Sequence, residues 1–182
     1  MFYLTIKRLY NLDLRCLKDT RGSVAIEFSA IIIPFLALIF GLIATCLYFF
    51  TTFSLEYAVK ESARIVRTGQ FNDDGMSKEQ FINDVCQKAV ALYDCQERIR
   101  VDILEFDDFR NIEVPSCLDE NGALTISSLN ADEVPGSSGK IIYIQACYEW
   151  TLPKIIPLFD FGNMNNGSAL IQASTIFETE PF

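Results

Sequence analysis

Residues able to do chemistry are few in this sequence, and they exclude more than they offer. There is no histidine among its 182 residues, so Ser-His-Asp and Cys-His catalysis and histidine-ligated metal are ruled out. The acidic pairs Asp107–Asp108 and Asp119–Glu120 fall in loop-like stretches, where solvated charge is the expected role. "PGSSGK", residues 135–140, lacks the spacing and the following helix of a phosphate-binding loop. We therefore expect no enzyme, no metal and no cofactor. What remains is one short constellation, Arg21-Gly22-Ser23 followed by Glu27-Phe28, at the head of a long apolar run. A charge within the apolar core of a bilayer costs on the order of a few kcal/mol or more at the centre. Glu27 needs either a partner or a place near water. In the simpler case it lies at the headgroups and favours the helix N-terminus through the dipole.

Six cysteines divide by position. Cys16 lies in a basic leader and Cys46 in the apolar run; Cys86, Cys95, Cys117 and Cys147 all follow it. Four cysteines in an oxidising compartment suggest two disulfides, for which sequence allows three pairings. A zinc site is the rival, but C-x-x-C spacing and histidine are both missing. Cys86–Cys95 with Cys117–Cys147 is the favoured pairing. The first closes a short loop at the end of a helix, and the second ties a central loop to a long strand.

The elements that must position these residues begin with the apolar run itself. From Phe28 to Leu55 there are 28 residues without Asp, Glu, Lys or Arg, and about 20 suffice to cross a ~30 Å hydrocarbon core. Residues 1–22 carry a net charge of +3, leaving −12 for the remainder of a total of −9. Basic residues stay on the cytoplasmic side of a first spanning helix, so the N-terminus is expected inside and the acidic remainder outside. That acidic part, with no basic patch, argues against nucleic acid as a partner. The leader is too long, and the apolar stretch too extended, for an ordinary signal peptide. "LIATC" is a poor lipoprotein cleavage site because Thr45 precedes the cysteine.

The helix is expected to continue past the membrane, over about residues 24–68. Leu55, Ala58, Val59, Ser62 and Ile65, with Val66 alongside, form one face, and Glu56, Lys60, Glu61, Arg64 and Arg67 the other. Glu56 and Lys60 are set for an i,i+4 pair, Gly69 is a stop, and Pro34 should kink the helix. A second helix is predicted over about 78–93, opened by Ser77 and Gln80 at capping-box spacing, with Phe81, Val85, Ala89 and Leu92 on its apolar face. Strands follow. In "RIRVDI" Ile99, Val101 and Ile103 should face inward and Arg98, Arg100 and Asp102 outward. "GKIIYIQACYEW" and "SALIQASTIFE" are the other two, and "ALTISSL" is expected as a short strand after an Asn121–Gly122 turn. "VPGSSGK" reads as an exposed loop. "LPKIIPLFDFGNMNNG" reads as irregular, its apolar Ile155 to Phe159 folded onto the core rather than offered to a partner. The fold class is α+β: a long N-terminal transmembrane helix leading into an external domain with a second helix packed on a small antiparallel sheet.

A basic leader, Gly22, Ser23, Glu27 and an unbroken apolar helix resemble the processing site of type IV prepilins. "GSVAIEFSAIIIPFLALIFGLI" is similar to the opening of the TadE-like family, minor pilins or pseudopilins of tight-adherence (Flp) pili. "YEWTLPKIIPLF" and "IQASTIFETEPF" resemble that family's late strand, proline-punctuated loop and closing strand, which here ends in Glu180-Pro181-Phe182. The resemblance touches both ends of the chain. It implies cleavage after Gly22 by a prepilin peptidase, with Ser23 as the new N-terminus and Glu27 and Phe28 completing the motif. Glu27 would then pair with the Ser23 ammonium or a neighbouring subunit's, since i and i+4 share a helix face. The implied partners are the inner membrane, the peptidase, the Flp major pilin, other pseudopilins and the pilus assembly platform. The expected organisation is a cytoplasmic leader 1–22, a transmembrane helix 23–54 and a periplasmic or extracellular domain 55–182. A different class competes: an uncleaved single-pass membrane protein whose external domain binds a ligand or partner. A periplasmic hydrolase using acidic residues is the weakest alternative.

Overall fold

The computed structural model describes residues 22–70, 75–125, 139–155 and 162–180. The basic leader with Cys16, the 156–161 part of the proline-punctuated loop, most of "ALTISSL" and "VPGSSGK", and Pro181-Phe182 lie outside the described residues. Helix α1 spans Ser23–Arg67, 45 residues. Helix α2 spans Lys78–Lys88 and a short α3 spans Cys95–Arg98. Strand β1 covers Ile99–Phe106, β2 Ile141–Trp150 and β3 Ala169–Glu178, with a one-turn α4 at Leu152–Ile155 between the last two. By compactness the chain divides into two units, Met1–Thr45 and Cys46–Phe182, and α1 contributes to both.

In the first unit the described residues are helical, and their side chains are overwhelmingly exposed. Apolar residues on every side, left exposed or half-buried among the described residues except at Ala44, are what a spanning segment requires. Pro34 sits inside α1 without ending it; lacking an N–H, it leaves the Ala30 carbonyl without its helical donor.

In the second unit α1 changes character. Leu55, Ala58, Val59, Ser62, Ala63 and Val66 are buried, while Lys60, Glu61, Arg64 and Arg67 remain exposed. The Glu56–Lys60 pair forms at 3.6 Å. Gly69, with φ +79°, ends the run as its N–H donates to the Val66 carbonyl, a conformation that costs glycine least. Helix α2 opens with the full capping box, Ser77 accepting from the Gln80 N–H and Gln80 from the Ser77 N–H. Phe81 and Val85 deliver its buried face.

Helix α2 ends at Lys88, five residues before the predicted Tyr93. Cys86 and Cys95 are bonded with Cα atoms 5.7 Å apart, whereas nine helical residues would advance ~13.5 Å. The chain must double back, and it does so through Ala89–Asp94. Asp94 takes a left-handed conformation, φ +48°, and the Ala91 N–H donates to Ser54 Oγ at 3.2 Å.

The sheet is antiparallel in the order β1-β2-β3. Val101 lies opposite Ala146, and Ala146 opposite Ala173. Ile99, Val101, Ile103, Ile142, Ile144, Ala146, Tyr148, Ile171 and Ala173 share the face that packs with Leu55, Val59, Val66, Phe81 and Val85. The other face overturns a sequence expectation. Arg100 and Asp102 are buried, at 5% and 0% exposure. Alternation fixes which side a residue points to, not what lies there, and over β1 and β2 that side is covered. Cys117 is bonded to Cys147, its Cα 5.9 Å away, and this holds residues 116–118 against the sheet. Arg98, also expected outward, is half-buried and donates to Thr151 Oγ1 at 2.7 Å.

Candidate functional site at the start of the long helix

Gly22 stands immediately before α1, Ser23 is its first residue, and Glu27 and Phe28 follow one turn later. The i,i+4 geometry brings the Ser23 hydroxyl to donate to Glu27 Oε1 at 2.9 Å. Phe28 is exposed, as are Val24 and Ile26. Glu27 lies beyond the first turn of the helix, which contains no acidic residue. The favourable field of a helix N-terminus falls off within that turn, so the dipole does little for this carboxylate, and its partner is Ser23.

Among the described residues nothing requires a glycine at position 22. A Cβ built on it meets nothing within 4 Å, and its φ is not positive. Gly162 is the contrast, since a Cβ there would come within 2.5 Å of the Gly167 carbonyl oxygen. Neither packing nor backbone conformation among the described residues requires a glycine at position 22.

Of the two acidic pairs, Asp107, Asp108 and Asp119 each have a partner in the structure. Asp107 pairs with Lys140, and this bond holds the Lys140 ammonium above its ordinary pKa. Asp108 accepts from the Arg110 side chain at 2.9 Å and from its backbone N–H at 3.1 Å, bonds that lower the carboxyl's pKa. Asp119 accepts from the N–H of Ala123 at 2.8 Å and of Asn121 at 2.9 Å. The Ala123 bond is the chief reason its carboxyl is depressed. Gly122, φ +73°, completes this turn, and Leu118 and Leu124 bridge across it. Among the described residues no cluster of His, Cys, Asp or Glu could hold a metal ion. Cys46 is a free, exposed thiol.

The sequence reading missed the buried polar cluster. Arg100 Nη2 lies 2.5 Å from Asp102 Oδ2, and Arg100 Nη1 donates to the Ser116 carbonyl at 2.9 Å. Gln145, opposite Asp102 in the register, donates to Cys117 Sγ at 3.1 Å, a weak acceptor. Its Oε1 has no hydrogen-bond partner among the described residues. A signal did exist: opposite charges two apart in a strand are neighbours on one face. Lys78, partly buried, lies within the field of this pair. Desolvation lowers its pKa, and the Asp102 charge partly offsets that.

No curated protein and no solved structure matches the chain. Residues 22–64 match the family model described as TadE-like protein, starting at the glycine whose identity the fold itself does not explain. That match over Gly22 and most of α1, taken with a helix long and apolar enough to cross a membrane, makes the chain similar to TadE-like proteins and fits a membrane protein related to the Tad pilus.

Proposed function

We propose that the chain is a minor pilin or pseudopilin of the TadE-like kind, a non-enzymatic component in assembly of a Flp-type (tight-adherence) type IV pilus. It is inserted in the inner membrane with residues 1–22 cytoplasmic and the acidic domain periplasmic. A prepilin peptidase cuts after Gly22, and α1 mediates assembly with the Flp major pilin, other pseudopilins and the assembly platform. The observation that carries this is the pairing of a structurally unneeded glycine with a carboxylate one helical turn beyond the cut. Cleavage would place a new ammonium on Ser23, whose side chain already contacts Glu27 at 2.9 Å. Opposite charges so placed reduce each other's burial penalty in apolar surroundings.

N-terminal sequencing of the protein from its native membrane tests the cut: Ser23 at the N-terminus is expected, and an intact Met1 throughout sinks processing. Gly22→Ala should abolish cleavage while leaving thermal stability unchanged, because the added methyl meets nothing. Glu27→Ala should spare insertion and impair piliation; normal pili would return Glu27 to a headgroup role. The uncleaved single-pass alternative, with an external domain that binds a ligand or partner, retains one supporting observation. The Ser23 hydroxyl satisfies Glu27 without any cut.

A further inference from the structure

Residues 89–94 combine two properties that rarely occur together: a pinned backbone and bare apolar side chains. Three bonds hold the loop. The Cys86–Cys95 disulfide closes it, the Ala91 N–H donates to Ser54 Oγ at 3.2 Å, and the Tyr148 hydroxyl donates to the Tyr93 carbonyl at 2.8 Å. Yet Val90 is 82% and Tyr93 73% exposed. A loop free to move would be expected to fold such side chains inward, since removing apolar surface from water is favourable. This one is fixed with them outward.

Its position along α1 identifies the surroundings. Ser54 lies at the end of the uncharged run, next to Leu55 and two residues before Glu56, the first charge beyond it. Around it α1 presents Phe49, Phe50, Phe53 and Tyr57, all more than half exposed. The C-terminal end of β2 reaches further down the same run, where the Trp150 ring meets Tyr48 edge-on at 5.5 Å. Tyrosine and tryptophan concentrate where acyl chains give way to headgroups. The 20 residues from Phe28 to Leu47 already suffice for the hydrocarbon core, which puts Tyr48–Ser54 in the interfacial layer. Two of the charge pairs beside the loop are internally matched, Arg98 with Asp94 at 3.4 Å and Lys88 with Asp84 at 2.6 Å, which lowers the cost of bringing them toward lipid.

We propose that the Ala89–Asp94 loop is a second membrane contact, with Val90 and Tyr93 inserted at the headgroup–acyl boundary of the bilayer that α1 enters. This rests on the membrane reading of α1. The effect is to fix the domain's orientation at the surface, because a helix alone leaves rotation about its axis free, and a contact to one side removes it. In this arrangement the loop, and not only the helix, sets which faces of the domain neighbouring subunits meet.

Depth-dependent quenching of the full-length chain in phosphatidylethanolamine–phosphatidylglycerol vesicles tests this. In a Trp150→Phe background, single tryptophans are introduced as Val90→Trp, Phe40→Trp and Phe109→Trp. With lipids brominated near the top of the acyl chain, Val90→Trp should lose fluorescence and emit to the blue. Phe40→Trp should be quenched by bromine deeper in the chain, and Phe109→Trp by neither. Quenched Phe40→Trp with unquenched Val90→Trp overturns the loop contact and leaves the membrane helix standing. Unquenched Phe40→Trp removes the membrane reading itself, and the proposal with it. Should Trp150→Phe fail to fold, Val90→Trp in the native background is read after subtracting the Trp150 signal.

Discussion

At the scale of single residues, Arg100 and Asp102 show how burial changes the meaning of a charge. Exposed, a pair like this would contribute little. Here the side chains are 5% and 0% exposed, so either charge left alone would sit uncompensated in the interior. Asp102→Ala should therefore destabilise the domain by roughly 3–5 kcal/mol, read as a lower guanidinium midpoint of the full chain in detergent. Arg100→Met with Asp102→Leu should cost much less than either single change, because it removes both charges together. Equal losses for the single and double changes would mean the pair is not the source. Glu27 follows the opposite logic: it is exposed in the isolated chain and becomes demanding only where lipid or neighbouring subunits surround it.

At the scale of elements, the 117–125 turn depends on the ionised Asp119 carboxylate. Its folded pKa is depressed below 3.8, first by the Ala123 N–H bond. A carboxyl held lower in the folded than in the unfolded state contributes stability fully above the unfolded value and loses it as pH falls through the folded one. The Asn121 and Ala123 amides should keep their protection from hydrogen exchange at neutral pH and lose it below about pH 4. Asp119→Asn should show faster exchange at neutral pH and a weaker acid dependence. Unchanged exchange of these amides down to pH 2 would remove the carboxylate from the account. The shortened α2 belongs to this scale too. Periodicity put Ala89 and Leu92 on the apolar face, and both do meet the core. The helix nonetheless stops, since the Cys86–Cys95 bond demands a reversal that a continuing helix denies.

At the scale of the molecule, a small domain relies on covalent ties because its core is limited. The Cys86–Cys95 and Cys117–Cys147 bonds span 9 and 30 residues. On the chain-entropy account these contribute roughly 2.6 and 3.6 kcal/mol. Paired serine replacement at 117 and 147 should lower stability more than at 86 and 95. It should also release residues 116–118 from the sheet, exposing Arg100 and Asp102 to solvent. Limited proteolysis with and without reductant checks this, with new cleavage after Arg100 expected only where the second bond is missing. Equal proteolytic resistance in both states would show that the polar face does not depend on that bond.

What the sequence determined by itself follows from local rules. An uncharged run of 28 residues, the amphipathic face from Leu55 to Val66, the Ser77–Gln80 capping box and the strand alternations depend on period and neighbouring residues alone. So does the Gly22–Phe28 motif, whose match over 22–64 is a match of sequence. The tertiary structure decided what depends on residues far apart in the chain. It buried Arg100 and Asp102, because Cys117 reaches Cys147. It ended α2 at Lys88, because Cys95 returns to Cys86. It fixed the Ala89–Asp94 loop beside Ser54, leaving Val90 and Tyr93 bare. Period tells a side chain which way to point; only the rest of the fold supplies what it finds there.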